Sequence, residues 1–247
     1  MVEGTGAQGP RAALVTGGSS GIGLALARML GEEGYALTVS ARREDKLKAA
    51  AEELRAEGLE VIEVAANLGE EDEVQRVVAA HRERYGRLDV LVNNAGVGIG
   101  ANVAEISTKK MDLQLNLNLR SAILFYRDCM DMLRASAAEH RRTQVWNTAS
   151  IAGKRGEAWL SVYSATKAGL VGFTQAMNKE LAGDGIRSTA LCPAFVDTPM
   201  TDFVKGAVAA DDMIRPEDIA ELCRALLRLS PAAVIPEIMV VRPGDQM

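Results

Sequence analysis

The chain has 247 residues, 48% of them hydrophobic, and a formal net charge of −5 at pH 7. That acidity, with an aromatic content of only 4%, argues against a nucleic-acid surface, which needs clustered cations and stacking platforms. Three isolated cysteines (Cys129, Cys192, Cys223) and two histidines (His81, His140) form no CxxC pair, so no metal site is expected and the thiols read as buried and reduced.

Residues 1–10 are small and polar and read as a flexible tail without a signal peptide. No uninterrupted apolar run approaches the roughly 18 residues of a spanning helix, so a cytoplasmic protein with no membrane partner is expected. From there short apolar runs alternate with amphipathic stretches. Ala12 to Val15, Leu37 to Val39, Val61 to Ala65, Leu88 to Val92, Gln144 to Thr148, Ser188 to Leu191 and Ile238 to Val241 read as strands. They lack polar alternation, as strands covered on both faces do. Leu24-Ala27-Leu30 and Leu47-Ala51-Leu54 keep the spacing of helices packed on a sheet. Val74, Val77, Val78 and His81 repeat that stripe, with His81 expected as a packed residue at its surface edge. Met111, Leu113, Leu115, Leu117 and Leu119 alternate like a half-buried strand, but a parallel sheet needs a crossover here, and a helix over about 108–136 is expected. No linker or repeat intervenes. Residues 11–247 are therefore expected to form one α/β domain, a doubly wound parallel seven-stranded sheet with helices on both faces.

The first strand runs into Thr16-Gly17-Gly18-Ser19-Ser20-Gly21-Ile22-Gly23 and then a helical pattern. Such a turn lets the backbone approach a pyrophosphate at a helix N-terminus, although methyltransferases and plain loops also carry glycine-rich turns. The second strand ends in Ala41-Arg42-Arg43, with no acid to accept from a ribose hydroxyl. A guanidinium there suits a 2′-phosphate, favouring NADP(H) over NAD(H); the alternative is a pair of surface cations. Asn93-Asn94-Ala95-Gly96 follows the fourth strand and an ordinary turn explains it nearly as well. Tyr163 and Lys167, four apart, share one helix face. A nearby ammonium favours the phenolate, which suits proton transfer beside a dinucleotide.

TGGSSGIG at 16–23, NNAG at 93–96, Ser150, Tyr163-x-x-x-Lys167 and the run from Pro193 to Thr198 together resemble the short-chain dehydrogenase/reductase family, single-domain branch, over about residues 10 to 242. The resemblance implies a Rossmann-like oxidoreductase reducing a carbonyl to an alcohol. Tyr163 would be the general acid, Lys167 would lower its pKa and bond the nicotinamide ribose, and Ser150 would donate to the developing oxyanion. Asn118, rather than the nearby Asn116, matches the fourth catalytic position, holding a water in a proton relay. Around the cofactor it implies Thr16, Gly17, Ser19, Ser20, Gly21, Ile22, Gly23, Arg42, Arg43, Asn67, Leu68, Asn94, Ala95, Gly96, Pro193, Val196 and Thr198, with Tyr163 and Lys167. Three positions depart from the family's habit: Ala194 replaces a glycine and requires a negative φ, Asn67 replaces an aspartate near the adenine, and the chain ends Val241-Arg242-Pro243-Gly244-Asp245 rather than Asp-Gly-Gly.

Trp159, Phe195, Met200 and Phe203 would suit a hydrophobic ketone or β-keto acyl substrate if they converge on the site, and are core otherwise; residues 199–213 resemble a lid. The family suggests a homodimer or homotetramer through the helices carrying Asn118 and Tyr163. A non-catalytic dinucleotide sensor is the rival reading, and it would be expected to have lost Ser150, Tyr163 or Lys167.

Overall fold

The computed structural model describes residues 10–204 and 212–245, without the side chains of 203 and 204. The expected N-terminal tail lies outside the described residues except for Pro10, which is exposed. Seven strands, β1 (Ala12–Thr16), β2 (Ala36–Ala41), β3 (Val61–Ala65), β4 (Val90–Asn93), β5 (Thr143–Thr148), β6 (Ile186–Pro193) and β7 (Glu237–Val240), form one sheet in the order β3-β2-β1-β4-β5-β6-β7. Every pairing is parallel. The connecting helices are α1 (Gly21–Glu32), α2 (Glu44–Ala56), α3 (Glu71–Tyr85), α4 (Thr108–Leu115), α5 (Ser121–His140), α6 (Ser161–Glu180) and α7 (Pro216–Arg228). The doubly wound fold is as the sequence predicts.

The continuous apolar strands serve two cores by the period of two along a strand. Val15, Val92 and Trp146 pack with Leu26 and Leu30 of α1, Leu47 of α2 and Ile219 of α7. Their neighbours Leu14, Leu91 and Val145 turn the other way, onto Val74 and Val77 of α3, Phe125 and Leu133 of α5 and Met177 of α6. Each fully buried leucine contributes about 2 kcal/mol relative to exposure, so a one-residue slip of a strand would exchange both sets of contacts. His81 departs from its expected edge position. It is fully buried, its ring nitrogens bonded to the Thr38 hydroxyl at 2.8 Å and the Arg87 carbonyl at 2.9 Å. Burial pushes its pKa down to about 4, which leaves a neutral structural ring.

The 108–136 stretch is helical and runs on to His140, where Arg141 takes a left-handed φ of 52°. A π-turn over Asn116–Arg120 joins α4 to α5. The extra residue in that turn shifts the helix phase, and the fully buried positions before and within it are polar, Gln114 and Asn118, while Leu115 is exposed. Strand order reverses between β1 and β4, so the crevice at the carboxyl ends of those strands is where a sheet of this type binds ligands.

Candidate active site

Thr16 closes β1 and ties two loops together: its hydroxyl donates to the Val92 carbonyl at 3.1 Å and accepts from the Asn94 and Ala95 amides at 2.9 and 3.0 Å. The Asn94 side chain donates to the Thr16 and Gly17 carbonyls and accepts from Thr148 at 3.1 Å. That amide is committed to the scaffold. The turn is equally crowded on its inner side. Gly17 and Gly21 have φ of +68° and +54°, and a Cβ on Gly21 would stand 2.7 Å from the Thr198 methyl. A Cβ on Gly23 would run into the Gly17 carbonyl group. Only glycine fits these positions. Ser20 caps α1 without a side-chain bond to its amides, so the first-turn N–H groups keep their positive end for an anion. Ser19, Ser20 and Ile22 are half-buried around it. These are the features a pyrophosphate requires.

Arg42 and Arg43 stand exposed at the tip of β2, and among the described residues neither guanidinium has a hydrogen bond or ion pair, whereas Arg28, Arg82 and Arg224 are held by carboxylates. Asn67 is exposed beyond β3, its Oδ1 accepting from the Gly69 amide at 3.4 Å. Leu68 is buried in the core, leaving only its backbone to face a ligand.

Ser150 follows β5 and caps a single 3-10 turn, Ile151–Gly153, where its hydroxyl oxygen accepts from the Ala152 amide at 3.1 Å. One lone pair is thus occupied, and the hydroxyl is placed to bond the Tyr163 phenol. A Cβ on Gly153 would lie 2.7 Å from the Lys167 carbonyl carbon, which shows how closely this turn rests on α6. Lys167 is buried, donates to the Thr148 carbonyl at 2.6 Å, and lies 5.7 Å from the Tyr163 ring centroid. Asn118 is buried in the π-turn, bonded both ways to Val97 (2.8 and 2.9 Å) and to the Thr166 hydroxyl at 3.1 Å. Thr166 in turn donates to the Tyr163 carbonyl at 2.7 Å. A Cβ on Gly96 would sit 3.2 Å from the Asn118 Oδ1 and 3.4 Å from the Lys167 Nζ. Asn118, Ser150, Tyr163 and Lys167 therefore meet at one end of the sheet, with Asn118 rather than Asn116 turned inward.

Electrostatics correct one expectation. Burial pushes the Tyr163 phenol above its ordinary value, with Ser150 pulling it back; the ammonium does not bring it down in the protein alone. Burial also lowers Lys167 to about 8. Both shifts have one cause: a dry pocket disfavours the charged form of each group. Cys192, close by, is pushed up to about 12 by burial, and Cys129 and Cys223 are buried and raised as well, so none is a nucleophile.

Pro193 ends β6; Ala194 donates to the Val240 carbonyl at 2.8 Å, and its φ is not positive. Val196 is buried and bridges to Ile214. Thr198, tied to the Thr201 hydroxyl, reaches across to Gly21. At the rim Trp159 is 54% exposed with φ of +66°, its carbonyl bonded to the Ala101 amide at 2.8 Å and its indole filling the space above Gly100. Phe195 and Met200 are also exposed, so these three are not core; Phe203's side chain and residues 205–211 of the expected lid lie outside the described residues. A cleft of 620 Å³ is lined by Asp212, Ile214, Val241 and Arg242, and none of the catalytic four lines it. The sequence reading missed the loop after NNAG: Val97 anchors Asn118, Ile99 is held by Gln114 at 3.1 Å, and a Cβ on Gly98 would touch the Tyr163 ring. The alternation of Gly96, Gly98 and Gly100 was its only signal.

Fold and site together define an oxidoreductase that works with a nicotinamide dinucleotide. A family model described as short chain dehydrogenase matches residues 11–207, and the chain belongs to that family, whose members act on C=O and CH–OH groups. It is 36% identical over 257 residues to the protein named "Putative ketoacyl reductase" of Streptomyces coelicolor, covering 96% of this chain and 97% of the relative. It is 35% identical over 193 residues to a 3-oxoacyl-(acyl-carrier-protein) reductase of Staphylococcus epidermidis, covering 78% of each. A crystal structure of an actinorhodin polyketide ketoreductase variant with NADPH superposes with a TM-score of 0.84 at 34% identity, over 94% of this chain and 95% of that one.

Proposed function

We propose that this oxidoreductase uses NADPH to reduce the ketone of a β-ketoacyl thioester to the β-hydroxy product. The observation that carries the reading is the convergence of Ser150, Tyr163, Lys167 and Asn118 beside a glycine turn with no room for a side chain. The dinucleotide, when bound, supplies the hydride. Ser150, its oxygen held from behind by Ala152, presents its proton to the substrate oxygen. Tyr163, kept protonated by burial, donates the proton that completes the alcohol. Lys167 places positive charge beneath that phenol, and Asn118, anchored to Val97, holds a water that relays protons through the lysine. Arg42 and Arg43 bind the 2′-phosphate; Gly17, Ser19, Ser20, Gly21, Ile22 and Gly23 cradle the pyrophosphate; and Asn67, Ala95, Gly96, Pro193, Val196 and Thr198 line the remainder. The β-ketoacyl class is supported by the ketoacyl reductases among its relatives and by the exposed Trp159, Phe195 and Met200 at the rim.

The same reading places the enzyme in the cytoplasm, where its three unpaired cysteines suit a reducing compartment. It assembles as a homodimer or homotetramer through the helices bearing Asn118 and Tyr163, a face on which Leu115 and Ile123 are exposed. The test follows NADPH oxidation with a β-ketoacyl thioester, a simple aliphatic ketone and a quinone in parallel. Turnover of the thioester at least tenfold above the others (about 1.4 kcal/mol of discrimination) is expected. Preference for the simple ketone or the quinone would overturn the substrate class.

A further inference from the structure

The turn at 157–160 carries a residue that neither its backbone nor the core asks for. The Leu160 amide donates to the Glu157 carbonyl at 3.1 Å, and the Glu157 amide donates to the Ser164 hydroxyl at 3.2 Å, which pins the turn on the start of α6. Trp159 takes the third position at φ of +66°, where turns favour glycine or asparagine and a bulky side chain is an outlier. Core packing does not offset that strain, because 54% of the residue is exposed. Strain held at such a place points to a role in function.

The benzo ring of Trp159 lies across Gly100, where a Cβ would overlap it. The Ala101 amide bonds the Trp159 carbonyl at 2.8 Å, so ring and backbone both grip the loop after NNAG. A Cβ on Gly98 would meet the Tyr163 ring at 3.8 Å, and one on Gly96 would meet the Lys167 Nζ at 3.4 Å. Gly98 and Gly100 are at most about 7 Å apart. The three bare positions therefore run past Lys167, Tyr163 and Trp159 in that order, from buried through half-buried to exposed. The indole is the next surface outward from the reacting phenol.

A substrate whose ketone sits at Tyr163 must lay its remaining atoms over the neighbouring surface, and that surface is an apolar ring held rigidly on Gly100. We propose that Trp159 determines chain-length specificity, its indole forming the platform on which the acyl tail beyond the ketone lies. This rests on the β-ketoacyl reading and names the part of the substrate that the chain selects. A methylene fully withdrawn from water strengthens binding about fourfold, so four of them half covered by the ring give on the order of tenfold.

The test compares kcat/KM for β-ketoacyl thioesters of four and eight carbons, and for 2-butanone and 2-octanone, in wild type, Trp159→Gly and Gly100→Ala. The long-over-short ratio should be about tenfold in wild type and fall to within about twofold of one in both variants, through KM for the longer substrate. Glycine adopts the turn's φ without strain, so Trp159→Gly keeps its fold; Gly100→Ala retains the indole but displaces it. Equal losses at both lengths would make Trp159 a support for Tyr163 and overturn the proposal, as would an unchanged ratio or a wild type indifferent to length. Preference for the alkanones, with a ratio that collapses in Trp159→Gly, would instead sink the thioester reading and leave the platform standing.

Discussion

Replacing Lys167 by methionine should remove activity and at the same time stabilise the cofactor-free protein at neutral pH. Burial lowers the ammonium from its ordinary 10.5 to about 8, and at about 1.36 kcal/mol per pH unit this corresponds to a penalty of about 3 kcal/mol. Methionine matches the length of the lysine stem but abandons the Thr148 carbonyl, now bonded at 2.6 Å, which costs about 1 kcal/mol. The net expectation at pH 7 is a variant more stable by about 2 kcal/mol. The pH dependence carries the sign. Below about 8 both folded and unfolded chains hold the proton, so the penalty is complete; between about 8 and 10.5 the unfolded chain holds more protons than the folded one, and wild-type stability rises relative to the variant. Above that window the penalty is gone and wild type leads by the lost hydrogen bond. Urea unfolding of both proteins at pH 7, 8.5 and 10, taken as a difference, isolates this group from other alkaline titrations. A difference that does not change with pH, or a variant less stable at pH 7, would refute the burial argument.

Tyr163→Phe should keep the fold and NADPH affinity while lowering kcat on the order of 10³-fold, as expected for loss of a positioned acid; stopped-flow hydride transfer at wild-type rate would contradict the assignment. Gly23→Ala drives a methyl into the Gly17 carbonyl group and should weaken dinucleotide binding at least tenfold with a stability loss of about 1–3 kcal/mol, read by titration calorimetry and thermal unfolding. Arg42→Asp should weaken NADPH by roughly 10- to 100-fold and leave NADH nearly unchanged, the scale of one charge-assisted phosphate contact. Parallel dissociation constants for the two cofactors check it.

Local chemistry made much of this protein readable from its residues. Each strand carries a short apolar run without strict polar alternation, so all seven stood out although β5 and β6 also hold polar residues, and a glycine turn between strand and helix has few other uses. The Tyr163–Lys167 spacing sets a shared helix face whatever the surrounding fold. Three things depended on packing between distant segments. His81 looks like the rim of a stripe, yet Thr38 and Arg87 enclose it from β2 and the turn before β4. The helix with Asn118 hides its logic because the buried positions around its π-turn, Gln114 and Asn118, are polar and bond the loop at 97–99 rather than fill the core. The phenol's proton affinity is raised because burial, a property of the closed pocket, outweighs the hydrogen bond from Ser150. Sequence thus determined which elements form and which reactive groups they carry, since those follow from periodicity and local sterics. Tertiary structure decided how dry each group is and what it bonds, because solvent exclusion arises only when remote parts of the chain close over one another.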